Sequence, residues 1–207
     1  MNFFIIHQAY VLCGSNMRKI KNFKINIRPR EISRILRKLL NLSELGIDIE
    51  ESVQRACFFY GKCIKPAVVY DTFSKETMIF PFISETPDKW IAVSPYILTI
   101  GNALKEEFDN KNDIFGEYTT QIVSAISADT LEQSKNFVQK LLASEAFEEN
   151  CELSRHVEVS DNFYNEISKV LPIEKINVSL SQEGKFEPVY SAVGLFYWIP
   201  LKKRSKK

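Results

Sequence analysis

The sequence predicts one compact domain of the α+β class, with an antiparallel or mixed sheet. The chain has 207 residues, and 45% of them are hydrophobic and 26% charged. That length and composition are typical of one globular domain. Segments with helical and strand-like patterns are mixed without regular strand–helix alternation, which disfavours a parallel sheet. No Ser/Gly-rich linker or internal repeat divides the chain.

The first predicted elements are a short strand and two helices. Alternating residues predict a strand at Phe23–Ile27. Pro29 suits the first turn of a helix, whose apolar stripe then contains Ile32, Ile35, Leu36, Leu39 and Leu40. A second helix is predicted at Asp48–Tyr60, with Gly61 as its C-terminal cap.

The middle of the chain predicts strands. We expect Ala67–Phe73 to pair with Thr77–Phe82. The apolar run Trp90–Thr99 contains Pro95, which cannot donate to a strand ladder, so it is predicted to be an edge or broken strand. Ile100 and Gly101 are predicted to turn the chain.

The second half predicts helices followed by closing strands. A short helix is expected first, then the longest element, whose middle is rich in small residues and allows close packing. A third helix ends before Pro172, and two closing strands flank a turn at Gly184. In order these elements are Asn102–Phe108, Phe115–Leu142, Asp161–Leu171, Ile176–Leu180 and Ser191–Ile199.

Charge divides the chain into three parts: a basic lead-in at residues 1–23, the domain at 24–200 and a basic tail at 201–207. The net charge is only +1, so no overall field attracts nucleic acid or anionic membrane. Nine basic residues nevertheless lie within Arg18–Lys38. With nearby aromatic residues they make a single-stranded nucleic-acid binder an alternative. This alternative is disfavoured, because no RNP-like or helix-turn-helix signature is present.

Residues suited to unaided catalysis are sparse. The chain has two histidines, and its seven glycines are never closer than ten residues, which excludes phosphate-binding and dinucleotide-binding loops. The four cysteines fit no zinc pattern and are expected to be reduced thiols of a cytoplasmic protein without membrane spans. Cys151 and His156 could meet, but a catalytic thiol also needs an orienting group and an oxyanion hole. We therefore assign no catalytic residue and no metal ligand.

Four stretches, in order, resemble the reactivation domain of cobalamin-dependent methionine synthase. Ile32–Leu40 is similar to its opening helix, and Ile97–Gly101 to its "T-[IL]-G" strand-turn. Ile122–Asp129 is similar to its small-residue helix, "L-D-A-x-x-S-A-A". Leu180–Pro188 followed by Ser191–Leu195 is similar to its closing pattern, "L-T-E-S-G-M-M-x-P" and "S-A-x-x-G".

This resemblance implies a twisted, mostly antiparallel sheet flanked by helices. It also implies that the chain presents S-adenosylmethionine to a cobalamin held by a partner, a corrinoid-binding methionine synthase or methyltransferase module, for reductive remethylation. The protein would position the ligand, whose own sulfonium carries the chemistry. The implied ligand-binding residues are Arg155, for the ligand carboxylate, Glu183 and Tyr190.

One stretch departs from the family pattern. Where the family reads "R-x-x-P-G-Y", this chain has Ser154–Asp161, which retains Arg155 but lacks the Pro, Gly and Tyr. A bulky residue in place of a glycine that lets backbone approach a ligand closes such a site. A partner-binding module of the same fold that has lost its ligand therefore remains an alternative. Ligand binding requires an open groove beside the closing strands, not filled by His156, Val157 or Tyr190.

Overall fold

The computed structural model describes residues 17–76, 86–111 and 114–201. Its helices are α1 (Pro29–Leu39), α2 (Ile47–Tyr60), α3 (Ala103–Asn110), α4 (Thr119–Glu148) and α5 (Tyr164–Val170). Its strands are β1 (Arg18–Lys21), β2 (Ala67–Tyr70), β3 (Phe73–Ser74), β4 (Ala92–Thr99), β5 (Cys151–Leu153), β6 (Val157–Glu158), β7 (Ser179–Leu180), β8 (Phe186–Glu187) and β9 (Ser191–Pro200).

The main sheet has the strand order β1-β2-β4-β9-β5, with β3 also pairing with β4 and β6 with β9. Every strand pair in the described ranges is antiparallel. The sheet curls into a half-barrel flanked by helices. The α+β class and the single compact domain are therefore confirmed.

Alternation along the strands gives the sheet two buried faces. One face packs against α4 through residues such as Val68, Leu98 and Phe196. The other packs against α5 and the short 3-10 helix Ile173–Ile176. Because both faces are covered, the central strands are largely apolar, with Ser94 and Thr99 as buried polar residues of β4. A separate apolar cluster joins α1, α2, α3 and the first turns of α4.

The first two helices form as predicted. α1 begins at Pro29 and buries Ile32 and Leu36 completely. α2 ends at Tyr60 and Gly61 is its C-cap, but this glycine has a right-handed φ of −56° and begins a 3-10 turn. Glycine is favoured at position 61 by close packing rather than by a left-handed cap. A Cβ at this position would lie 3.1 Å from Cγ1 of Ile27.

Helix α4 begins four residues later and ends six residues later than predicted. Its last turn is acidic, but its side chains contact the sheet. Glu145 accepts a hydrogen bond of 2.9 Å from the Tyr70 hydroxyl and pairs with Arg18. Ala146 is buried in a small cluster with Trp198. These contacts hold in helical form a segment that lies beyond the predicted end of the helix at Leu142.

The predicted strand at Phe23–Ile27 is wrong. The edge strand is β1, Arg18–Lys21, which lies within the segment assigned to the lead-in and pairs with β2. Asn22 adopts a left-handed φ of 55° directly after it. The alternating residues of 23–27 pack their side chains on the domain without pairing as a strand. The Phe23 ring, for example, stacks on the Phe137 ring with 4.2 Å between the centroids.

The prediction that Pro95 breaks a strand or marks an edge is also wrong. β4 runs unbroken from Ala92 to Thr99, between β2 and β9. The interruption falls on the neighbouring strand, between β2 and β3. There Asp71 lies opposite Pro95 and makes one long hydrogen bond of 3.4 Å to the Pro95 carbonyl. The missing proline N–H thus shortens the ladder locally and leaves β4 intact.

The remaining predictions are met in part. Gly101 and Gly184 turn the chain with φ values of +85° and +75°. The third helix is α5, preceded by a 3-10 turn at Asp161–Phe163. Only Ser179–Leu180 of the first closing strand forms, and it pairs with β8. The predicted strand Thr77–Phe82, most of the lead-in and the tail from residue 202 lie outside the described residues.

Candidate functional site

The candidate site is a bulge in the edge strand formed by β5 and β6. Leu153 pairs with Trp198 of β9, and Val157 pairs with Leu195. Three residues, 154–156, therefore lie opposite two residues of β9. This is a β-bulge with one extra residue, a feature found often at sheet edges and beside active sites.

The extra residue changes the face on which the following side chains lie. Leu153 packs against the α4 side of the sheet, whereas Val157, four residues later, packs against the opposite layer. Ser154 fixes the bulge, because its N–H donates to the Tyr197 carbonyl (2.9 Å) and its Oγ accepts from the Tyr197 N–H (3.0 Å). Arg155 is consequently exposed, and His156 turns inward.

The His156 ring lies on the α4 side of the sheet and directs its Nε2 edge at Gly194. Its Nε2 is 2.8 Å from the Tyr96 hydroxyl, and its ring centroid is 5.5 Å from that of Phe196. A Cβ on residue 194 would overlap Nε2 and would lie 3.0 Å from both Cδ2 and Cε1. Only glycine leaves room for this ring. His156 therefore fills the space over the middle of β9. The open groove expected beside the closing strands is closed at this point, and a ligand that binds here has to displace the ring.

Burial is the largest influence on the His156 imidazole and lowers its pKa below the ordinary 6.5. Lys135 of α4 lowers the pKa further, while Glu158 and Glu132 oppose the shift. Nε2 and the Tyr96 hydroxyl share this hydrogen bond, and Nε2 accepts it when the neutral ring carries its proton on Nδ1. Burial also raises the pKa of Tyr96, which is fully buried, so this hydroxyl stays protonated at neutral pH.

We expect His156 to make stability fall at low pH. Since its pKa is lowered on folding, the unfolded chain takes up the proton first, and stability is lost as pH falls below about 6.5 towards the folded-state pKa. Urea unfolding of the wild type and His156→Phe between about pH 7.5 and about pH 5 should show the steeper loss in the wild type. A steeper loss in the variant would mean that the neighbouring glutamates dominate.

The three predicted ligand-binding residues lie in different places. Arg155 is on the bulge. Glu183 is in the turn between β7 and β8, where its carboxylate lies 3.6 Å from Lys185 Nζ and both side chains are more than 70% exposed. Tyr190 directly precedes β9, and its carbonyl accepts from the Ile100 N–H (3.1 Å) and the Thr99 hydroxyl (3.2 Å).

Tyr190 lies at the start of β9, whereas the bulge lies opposite its middle. The bulge faces Phe196 and Tyr197, so about 20 Å of strand separates it from Tyr190. The Tyr190 ring is half-buried against the helical cluster, and burial is the main cause of its raised pKa. A ligand that contacts both Arg155 and Tyr190 has to span this distance together with the two side chains.

Tyr96 was not singled out from the sequence, and Gly194 entered only as part of the closing pattern at Ser191–Leu195. Gly194 did leave a signal, since a glycine inside a strand often marks a close approach by another group. No residue pattern in the sequence indicated the bulge.

Among the described cysteines, Cys57 is buried, which raises its pKa to about 12 and leaves no reactive thiolate.

The basic stretch Arg18–Lys38 is partly used in internal contacts. Arg18 pairs with Glu145, Arg28 with Asp129 and Arg34 with Glu31. A surface cleft of about 500 Å³ lies between α1 and α2, with lining residues of both charges, including Arg30, Arg37, Glu44 and Glu50. These pairings weaken the case for a continuous nucleic-acid surface.

The described residues contain neither a metal-binding cluster nor a membrane-spanning helix. They contain no group of three or more His, Cys, Asp or Glu side chains arranged to hold a metal ion. No helix among them is both long and apolar enough to cross a membrane.

Comparison with known proteins gives a structural likeness and no sequence match. No protein-family model matches the chain, and no curated protein sequence matches it. The fold is similar to the crystal structure of the MetH reactivation domain bound to AdoHcy, with a TM-score of 0.55 and 14% identity. The match covers 93% of this chain and 80% of that one. The chain shares the fold of a reactivation domain.

Proposed function

We propose that this protein binds S-adenosylmethionine and presents it to a cobalamin-dependent methionine synthase or corrinoid methyltransferase. The observation that supports the proposal is the fold likeness, which extends over 93% of the chain to a domain bound to AdoHcy. AdoHcy is what S-adenosylmethionine becomes after it gives up its methyl group. S-adenosylmethionine would supply the methyl group, and the cobalamin would belong to the partner.

Arg155 fits the role of carboxylate partner. The bulge turns it to solvent, and it makes no ion pair with the described part of the chain. An exposed guanidinium can take a carboxylate in a two-pronged hydrogen bond without losing a partner first. The protein's contribution would be to hold the ligand in place. Glu183 and Tyr190 stay predictions as ligand contacts.

We expect S-adenosylmethionine and AdoHcy to raise the melting temperature of the wild type. Ligand at 100 times Kd stabilises the native state by about 2.7 kcal/mol. Arg155→Ala should weaken binding about tenfold, because it removes a charge-assisted hydrogen bond. Calorimetric titration measures both affinities, and Lys140→Ala, an exposed charge on α4, is the matched control.

The result against this proposal is specific. If neither ligand gives heat or a melting shift at millimolar concentration, the ligand-binding function is wrong and the shared fold remains. If each ligand binds Arg155→Ala with the same affinity as the wild type, the proposed function stands and Arg155 does not contribute to ligand binding.

A second candidate is a partner-binding module of the same fold that takes no ligand. His156 favours it, because its ring fills the space over Gly194 that an open groove would leave clear. Such a protein would co-purify with a corrinoid protein and give no melting response to S-adenosylmethionine or AdoHcy. A ligand response in the purified protein would remove this candidate.

A further inference from the structure

The glycine at position 194 points to a site. β9 is a central strand, and glycine within a strand is unfavourable because it has no side chain to pack and loses more backbone entropy on folding. Gly194 is not among the residues with positive φ, so backbone conformation does not require it. What requires it is the ring that lies against it.

The Tyr96 hydroxyl supplies the second observation. Tyr96 is fully buried, and its hydroxyl is directed at the same ring, at 2.8 Å from His156 Nε2. Its own ring and that of Phe196 are nearly parallel, 20° apart, and both contact the imidazole. The space over Gly194 thus has an aromatic wall and one hydrogen-bond donor.

The bulge supplies the third observation. His156 reaches this space from an edge strand, where the ladder with β9 is interrupted between β5 and β6. A bulged edge residue is held by fewer backbone hydrogen bonds than a residue in the regular ladder. The ring can therefore leave without separating the central strands.

We propose that the space over Gly194 is a slot for a flat nitrogen heterocycle, which His156 occupies from within the chain and which the adenine ring of an adenosyl ligand takes over. A ring nitrogen of adenine would accept from the Tyr96 hydroxyl, as Nε2 does when the imidazole proton is on Nδ1. The carboxylates of Glu132 and Glu158, which act electrostatically on the imidazole, would favour the exocyclic amine. The adenosyl part of this inference rests on the proposed function; the slot itself does not.

The wild-type test uses AdoHcy and NMR of the histidine side chains, assigned with His156→Ala. Binding should move the His156 ring signals and bring its pKa back up to the ordinary range, because the displaced ring becomes exposed. AdoHcy that binds while the His156 signals and pKa stay unchanged would overturn displacement.

The slot can be tested without an adenosyl ligand. In His156→Ala at about pH 8, where free imidazole is mostly neutral, imidazole should raise the melting temperature saturably. The double variant Tyr96→Phe/His156→Ala should lose most of this response. Leu153→Ala removes a half-buried side chain from the same edge strand on the α4 side, but away from the Tyr96 hydroxyl. The melting temperature of Leu153→Ala should not rise with imidazole.

The two proposals fail in different ways. A missing imidazole response in folded His156→Ala overturns the slot, whatever the wild type binds. AdoHcy should bind His156→Ala about tenfold more tightly than the wild type, because the internal competitor is gone. Unchanged affinity overturns the adenosyl assignment. Absence of S-adenosylmethionine or AdoHcy binding in every variant counts against the proposed function, and the imidazole result still decides the slot.

Discussion

Gly194→Val should lower the free energy of unfolding by about 3 kcal/mol, through overpacking and an unpaired Tyr96 hydroxyl. The valine side chain would occupy the space of the His156 ring and force it out. The buried Tyr96 hydroxyl would then lose the partner that His156 gives it. Urea unfolding measures the change, which corresponds to a melting shift of about 9 °C for a chain of this size.

Two controls separate the ring clash from a general effect of valine for glycine. Gly46→Val should cost only about 1 kcal/mol, the loss of a favoured helix N-cap, because no atom lies within 4 Å of a Cβ there. In a His156→Ala background, Gly194→Val should cost much less than in the wild type. Equal costs in the two backgrounds would show that His156 is not the reason for the glycine.

Asp129→Ala should be the second largest change and cost about 2 kcal/mol, because charge-assisted hydrogen bonds are lost at a buried position. Asp129 is 2% exposed on α4 and pairs with Arg28, directly before α1. Gln133 Nε2 donates both to Asp129 (2.8 Å) and to the Asn26 carbonyl (2.9 Å). These contacts tie the segment entering α1 to α4.

The control is an exposed ion pair. Asp109 is 51% exposed and pairs with Lys105 one turn away on α3. Asp109→Ala should change stability by less than about 0.5 kcal/mol, since solvent screens such pairs. Urea unfolding of both variants makes the comparison. Similar losses at the two positions would mean that burial of Asp129 adds nothing.

Local patterns predicted the helices and missed what depends on strand pairing. The stripe of α1 and its Pro29 start are properties of adjacent residues, so they could be predicted from sequence. Pro95 was misjudged because the effect of a missing N–H depends on the partner strand, and here that partner, Asp71, lies where β2 and β3 separate. Phe23–Ile27 alternates, but its backbone finds no strand to pair with.

In the candidate site too, some features could be predicted from the sequence and others depend on strand pairing. The resemblance pointed to Arg155 and to the departure around it, and the structure places this residue on an exposed bulge. The inward turn of His156 could not be predicted, because it depends on a register difference of one residue between β5–β9 and β6–β9. The contacts of Tyr96 and Gly194 with His156 join parts of the chain that are far apart in sequence.

By itself, the sequence determined the α+β class, the positions of α1 and α2, and the lack of metal-binding and phosphate-binding motifs, because each of these depends on composition or on neighbouring residues. The tertiary structure alone decided the strand order, the place of Pro95 and the occupant of the space over Gly194. These depend on which distant segments pair and in which register, and a shift of one residue moves each side chain to the other face of the sheet.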